Sequence, residues 1–273
     1  MSRSDGEVTA GMLSKVPEVT LWFWAAKIFA TTLGETGGDA VSMSWLGETT
    51  VSAGQNGING YLVGTGVFGL TLVVLVALQM RARGYRPWLY WLTIIASTTA
   101  GTTLADYCTR SLEIGYSGGS AILIALVLAS LAAWKAVEGR VSSSHVVSGR
   151  AEVFYWITIT FSQTLGTALG DWIADAGLGY SGGALVFGAG LAVLAILYFA
   201  TSISRVFLFW AAFILTRPLG ATVGDFLDKP VAKGGLELSR PIASAVLAVA
   251  IVALILLIPQ RPGSHPGQGE ATA

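Results

Sequence analysis

Eight runs of apolar residues, each long enough to cross a lipid bilayer as a helix, occur at roughly 19–39, 59–80, 88–108, 118–138, 153–173, 181–203, 206–227 and 240–258. The runs are continuous rather than alternating and too long for barrel strands, which predicts helices throughout. The expected fold is therefore all-α and integral to the membrane. A single transmembrane domain covers 19–258, with an N-terminal segment 1–18 and a C-terminal tail 259–273 on either side. Three connections carry the cationic bias of a cytoplasmic face: Arg81, Arg83 and Arg86; Lys135, Arg140 and Arg150; and Arg205. The others hold Glu48, Arg110 with Glu113, Asp175, and a mixed set from Asp228 to Arg240, so both termini are expected in the cytoplasm.

The odd-numbered runs repeat. "WAAKIFATTLGETGGD" from Trp24, "WLTIIASTTAGTTLAD" from Trp91, "WITITFSQTLGTALGD" from Trp156 and "WAAFILTRPLGATVGD" from Trp210 align without a gap. In each copy Trp is followed fifteen positions later by Asp39, Asp106, Asp171 or Asp225. A small-x-x-x-small pair precedes the acid: Gly34/Gly38, Gly101/Ala105, Gly166/Gly170 and Gly220/Gly224. Adding the second helix of each unit gives four two-helix repeats, about 19–80, 88–138, 153–203 and 206–258. Two spans return the chain to its starting side, so all copies enter the membrane in the same direction and their acids share one depth. Fifteen residues place each Asp about 22 Å from its Trp in a core about 30 Å thick, still within hydrocarbon. Charges at that depth should face the bundle interior.

Residues three, four and seven positions before each Asp lie on its helical face. They are Thr36, Glu35 and Thr32 in the first copy; Thr103, Thr102 and Thr99 in the second; Ala168, Thr167 and Thr164 in the third; Thr222, Ala221 and Pro218 in the fourth. A stripe of hydroxyls thus leads to each carboxylate, and the first copy adds a second acid one turn away. Oxygen ligands of this kind suit hard divalent cations. Arg217 stands where the other copies have Thr31, Thr98 and Gln163, and requires an acid partner, Glu35 or a repeat Asp, as a gate or a permanent bridge. The glycine pairs suit close helix packing and the Trp residues suit interface anchoring. Lys27 is expected to snorkel to the interface. Ser117 and Ser181, in the shared "GYSGG", are expected as helix N-caps.

Composition removes several alternatives. The 273 residues are 53% hydrophobic and 12% charged, with equal numbers of basic and acidic side chains, so no net charge marks a nucleic-acid partner. One cysteine, Cys108, and two histidines, His145 and His265, cannot assemble a soft-metal cluster. No Ser–His or Cys–His set lies in the spans, which argues against an enzyme, and no cofactor is expected. "GETGGDA" lacks the strand and lysine of a phosphate loop.

Four tandem two-helix repeats, each with Trp near its start, resemble a bacterial membrane-protein family named only for a repeat of unknown function. The resemblance covers about residues 20 to 258 and implies a multi-pass protein of the bacterial inner membrane, with no activity to carry over. "ETGGD" at 35–39 also resembles the Glu-x-Gly-Asp motif of cation/proton exchangers, with one extra residue and no Glu in three copies. The functional expectation is a transporter exporting a divalent cation of the Mn²⁺ type, or exchanging it for protons. Its ion-binding residues would be Glu35, Asp39, Asp106, Asp171 and Asp225 with the stripe threonines, and Arg217 would compensate charge. A passive cation channel, a carrier of small organic cations and a structural scaffold are the alternatives. The sequence admits a homo-oligomer without specifying one.

Overall fold

The computed structural model describes residues 15–47, 59–139, 141, 146 and 148–263, so Glu48, Arg140, the two histidines and most of both terminal segments lie outside the described residues. Within them the chain forms eight α-helices: α1 Leu21–Asp39, α2 Gly60–Arg81, α3 Pro87–Asp106, α4 Tyr116–Glu138, α5 Gly149–Ile173, α6 Gly179–Ala200, α7 Arg205–Asp228 and α8 Arg240–Leu257. The starts follow local chemistry. Thr20, Asn59, Ser148 and Ser204 accept backbone N–H groups at the N-termini of α1, α2, α5 and α7, and α3 opens with Pro87. Ser117 and Ser181 are not caps. α4 begins behind Gly115, whose φ of 76° only glycine adopts readily, and α6 begins at Gly179, so both serines lie within the first helical turn.

The odd helices form an inner ring, α1 against α3, α3 against α5, α5 against α7, and α7 back against α1. Each even helix packs chiefly on the inner helix of the following repeat: α2 on α3, α4 on α5, α6 on α7, and α8 on α1, which closes the circle. Short links such as 82–86 and 201–204 impose this hand-over by holding α2 beside α3 and α6 beside α7.

Side chains sort accordingly. Leu70, Val73, Leu128, Leu185 and Val246 of the outer helices are exposed, as a lipid-facing surface requires. Among the described residues, five helical stretches are long and apolar enough to cross a membrane: 60–81, 116–138, 149–200, 205–228 and 240–257; in 149–200 the apolar span is only 11% buried, which is the outer helix α6 rather than α5. The inner helices α1, α3 and α5 are less apolar because their buried stripes hold threonine, serine, glutamate, glutamine and aspartate.

The glycine pairs set the ring's diameter. A Cβ on Gly34 would overlap Thr98, one on Gly166 would overlap Arg217, and one on Gly220 would overlap Thr31, each on the next inner helix. Gly101 meets the Gln163–Thr164 backbone in the same way, so the contact recurs four times around the ring.

The tryptophans correct an expectation. Trp91, Trp156 and Trp210 are buried and Trp24 is half-buried, so they are core rather than interface anchors. The reason lies in the preceding aromatic. Phe23 stacks 5.7 Å from Trp91, Tyr90 6.0 Å from Trp156, Tyr155 6.1 Å from Trp210 and Phe209 5.8 Å from Trp24. Each repeat therefore passes an aromatic ring to the next, and the tilted and edge contacts close one end of the bundle. Tyr90 and Tyr155 satisfy each other's hydroxyls at 2.7 Å. Over this end the segments around Pro17 and Pro262 pair, with Glu18 N–H donating to Arg261 O at 3.0 Å and Gly263 N–H to Val16 O at 2.9 Å.

Candidate functional site

The end opposite the aromatic ring holds the repeat acids. Asp39, Asp106, Asp171 and Asp225 are all at most 4% exposed, although each lies at or close to its helix end. After the first three, the backbone continues as π-helical turns, Ala40–Trp45, Tyr107–Ser111 and Ala174–Leu178. The fourth copy differs: α7 runs on to Asp228, then Lys229 takes up an extended conformation.

The four acids do not form one tetrad. They form two pairs, each bridged by a cation four residues after one of its members. Lys229 Nζ lies 2.5 Å from Asp39 Oδ2 and 3.0 Å from Asp225 Oδ1, joining α1 to α7. Arg110 Nε lies 2.9 Å from Asp106 Oδ1 and its Nη2 3.2 Å from Asp171 Oδ2, joining α3 to α5. The four-fold repeat thus carries a two-fold charge pattern. Burial works against the Lys229 ammonium, but the Asp225 and Asp39 carboxylates outweigh it and hold its pKa well above the lysine range. Beyond the pairs, Arg240 Nε sits 3.3 Å from the buried Asp228 Oδ2.

One turn deeper, Glu35, Thr102 and Thr167 occupy the same repeat position, and the fourth copy has Ala221 there. The small alanine leaves room for Arg217, one turn earlier on α7. Arg217 Nη2 meets Glu35 Oε2 at 2.8 Å, Thr102 Oγ1 at 2.6 Å and Thr167 Oγ1 at 2.5 Å. Both threonines also lie 3.3 Å from Glu35 Oε2. All four inner helices therefore meet through one guanidinium, which is wholly buried. Arg217 has the acid partner its depth demands.

The other stripe threonines do not reach this cluster. Thr32, Thr99 and Thr164 donate to Ile28 O, Ile95 O and Thr160 O of their own helices at 2.8–3.0 Å. Thr103 and Thr222 do the same one turn back, and Thr36 accepts from Ser244 of α8 at 2.9 Å. Such back-bonding satisfies a hydroxyl in an apolar interior and leaves it little capacity as a ligand. Lys27 also departs from expectation. It is fully buried, its Nζ is 3.7 Å from the Phe213 ring centroid, and that Nζ has no hydrogen-bond partner. Its repeat equivalents are Ile94, Ile159 and Phe213, all buried, so the position points inward and cannot snorkel.

Glu35, Asp39 and Asp225 each offer a carboxylate oxygen, and those oxygens lie within 4.8 Å of one another. Asp39 Oδ1 and Asp225 Oδ2 are buried with no hydrogen-bond partner. Carboxylates in this state are costly unless a cation or proton joins them. The three residues have the donor type and spacing that a hard divalent cation takes.

A family model described as Repeat of Unknown Function (DUF347) matches four times, at residues 22–85, 89–140, 154–204 and 208–259. The chain belongs to this family. Its four matches coincide with the four helix pairs, and the closed ring gives the repeat a structural meaning: each unit supplies one inner and one outer helix. No curated protein and no solved structure matches the chain.

Arg110 and Lys229 lie beyond the aligned sixteen residues, in segments whose composition is that of loops. Their signal is the spacing. Each stands four residues after a repeat Asp, and only in the second and fourth copies.

Proposed function

We propose that this protein is a membrane transporter for a divalent cation, with Mn²⁺ as the representative cargo, and that Glu35, Asp39 and Asp225 form its binding site. The observation that carries the reading is the cluster of three buried carboxylates on α1 and α7, two of them with an oxygen left unpartnered. The site sits beside a protein cation, so cargo release need not leave bare charge: lysine or protons take its place. That supports exchange for protons. The cationic bias of the connecting segments supports an orientation with the aromatic end and both termini facing the cytoplasm, in a bacterial inner membrane.

A passive cation channel is disfavoured. Lys27 and Arg217 occupy the interior on the aromatic side of the acids, and the aromatic ring closes that end. A static scaffold is the second reading, favoured by the bridging of both Asp pairs with basic side chains. One experiment separates them. Purified protein in sealed vesicles should move Mn²⁺ with a counter-movement of protons, and Asp39→Asn should stop both. Vesicles no more permeable than protein-free ones would leave the scaffold.

A further inference from the structure

Lys229 and Arg110 hold equivalent positions in their repeats, yet the chain treats them differently. Arg110 lies inside a π-helical turn and reaches its two acids with two different nitrogens. Lys229 lies just past α7, with a single ammonium between Asp39 and Asp225. The segment after it folds back on the helix end. Leu236 N–H donates to Phe226 O at 2.7 Å, Glu237 N–H to Lys229 O at 3.0 Å and Leu238 N–H to Leu227 O at 2.8 Å. Gly235 is pressed so close to the Lys229 carbonyl that no Cβ fits there, and Gly234 turns the chain with φ of 86°. The fourth repeat replaces the π-turn of the other three with a loop whose bonds fix the Lys229 backbone.

We infer that Lys229 is a tethered counter-ion which the cargo cation displaces, and that the Asp106–Arg110–Asp171 bridge is permanent. This rests on the cation-site reading of Glu35, Asp39 and Asp225 and identifies what occupies that site between transport events. Three features carry it. The ammonium already sits on two of the three carboxylates, in the place a bound cation would share. A lysine is a compact point charge on a flexible stem and can leave, whereas a guanidinium forked across two acids is held by its shape. The third acid sets this pair apart: a single cation spans two carboxylates at either bridge, but among the described residues only Asp39 and Asp225 have Glu35 beside them, and three carboxylate oxygens within 4.8 Å of one another suit a divalent ion better than one ammonium. When the cation enters, Lys229 swings out toward the acidic-end surface, and its return expels the cargo.

The test is thermal unfolding of the purified full chain in detergent across a Mn²⁺ series, with Na⁺ at equal ionic strength as control. A tethered competitor lowers apparent affinity by the fraction of time it fills the site. Lys229→Gln should reach half-maximal stabilisation at about tenfold less Mn²⁺ than wild type. Lys229→Arg, which keeps the charge, should need more Mn²⁺ than wild type because the fork is not released. Arg110→Gln should leave the Mn²⁺ midpoint unchanged. If wild type responds to Mn²⁺ and Asp39→Asn removes the response, but both Lys229 variants behave as wild type, the counter-ion role is wrong and the cation site stands. If neither wild type nor Lys229→Gln responds to Mn²⁺, the cation site and the counter-ion role fall together.

Discussion

Gly166 on α5 and Arg217 on α7 lie so close that a Cβ on the glycine would overlap the Cβ and Cγ of the arginine. The arginine passes into the interior beside a neighbour that has no side chain. Gly166→Ala should therefore lower stability by about 1–3 kcal/mol through overpacking and push Arg217 away from Glu35. Gly188→Ala, where a Cβ meets nothing within 4 Å, should cause no loss in the same unfolding assay and should stabilise α6 slightly.

Arg217 bonds Glu35 and two threonines at once, which supports a bridge holding the ring over a gate. Arg217→Gln should reduce the yield of folded protein and cost about 3–5 kcal/mol, because Glu35 stays behind without its partner. The double change with Glu35→Gln should recover much of the loss. A single variant as stable as wild type would contradict the bridging role.

Amide substitutions should rank the acids. Glu35→Gln, Asp39→Asn and Asp225→Asn should each abolish Mn²⁺ efflux from vesicles, whereas Asp106→Asn and Asp171→Asn should act mainly on protein stability. Equal transport defects at all five positions would show that the pairs work as one site.

The aromatic ring makes a different claim. Trp156→Ala should cost about 3–5 kcal/mol, as expected for a buried aromatic, while Trp22→Ala, 55% exposed, should cost little. Comparable small effects would return Trp156 to the membrane interface.

Alkaline pH tests Lys229. Its folded-state value stands above the ordinary 10.5, so its contribution is complete below pH 10.5 and disappears as pH rises through the folded-state value. Wild type should lose thermal stability relative to Lys229→Arg only above that point. A difference already developing near neutrality would mean that the ammonium is not held by Asp225 and Asp39.

The repeat, the inner placement of its acids and the need of Arg217 for an acid partner were legible in the sequence, because a gapless alignment fixes helical register and register fixes the buried face; that the partner is Glu35 rather than a repeat Asp was not. The pairing of the acids was not. It depends on Arg110 and Lys229, whose hydropathy is that of a loop and whose role appears only when α3 meets α5 and α7 meets α1. Lys27 and the tryptophans misled for a common reason: both are amphipathic types often found at membrane interfaces, and only the ring of neighbours shows them facing inward. The threonines were visible as a stripe, but which hydroxyls turn back to their own helix is a rotamer choice that spacing does not encode.

Closure of α8 onto α1 has a bearing on biogenesis. Both acids of α1 find their cations in the last repeat, Glu35 at Arg217 and Asp39 at Lys229, 182 and 190 residues downstream. While the chain is being made, the first helix must wait with two carboxyl groups and no cationic partner for either, although Thr102 and Thr167 of the second and third repeats can already meet Glu35. It stays in that state until the fourth hairpin is made, so the acidic end of the bundle cannot reach charge balance before the chain is nearly complete.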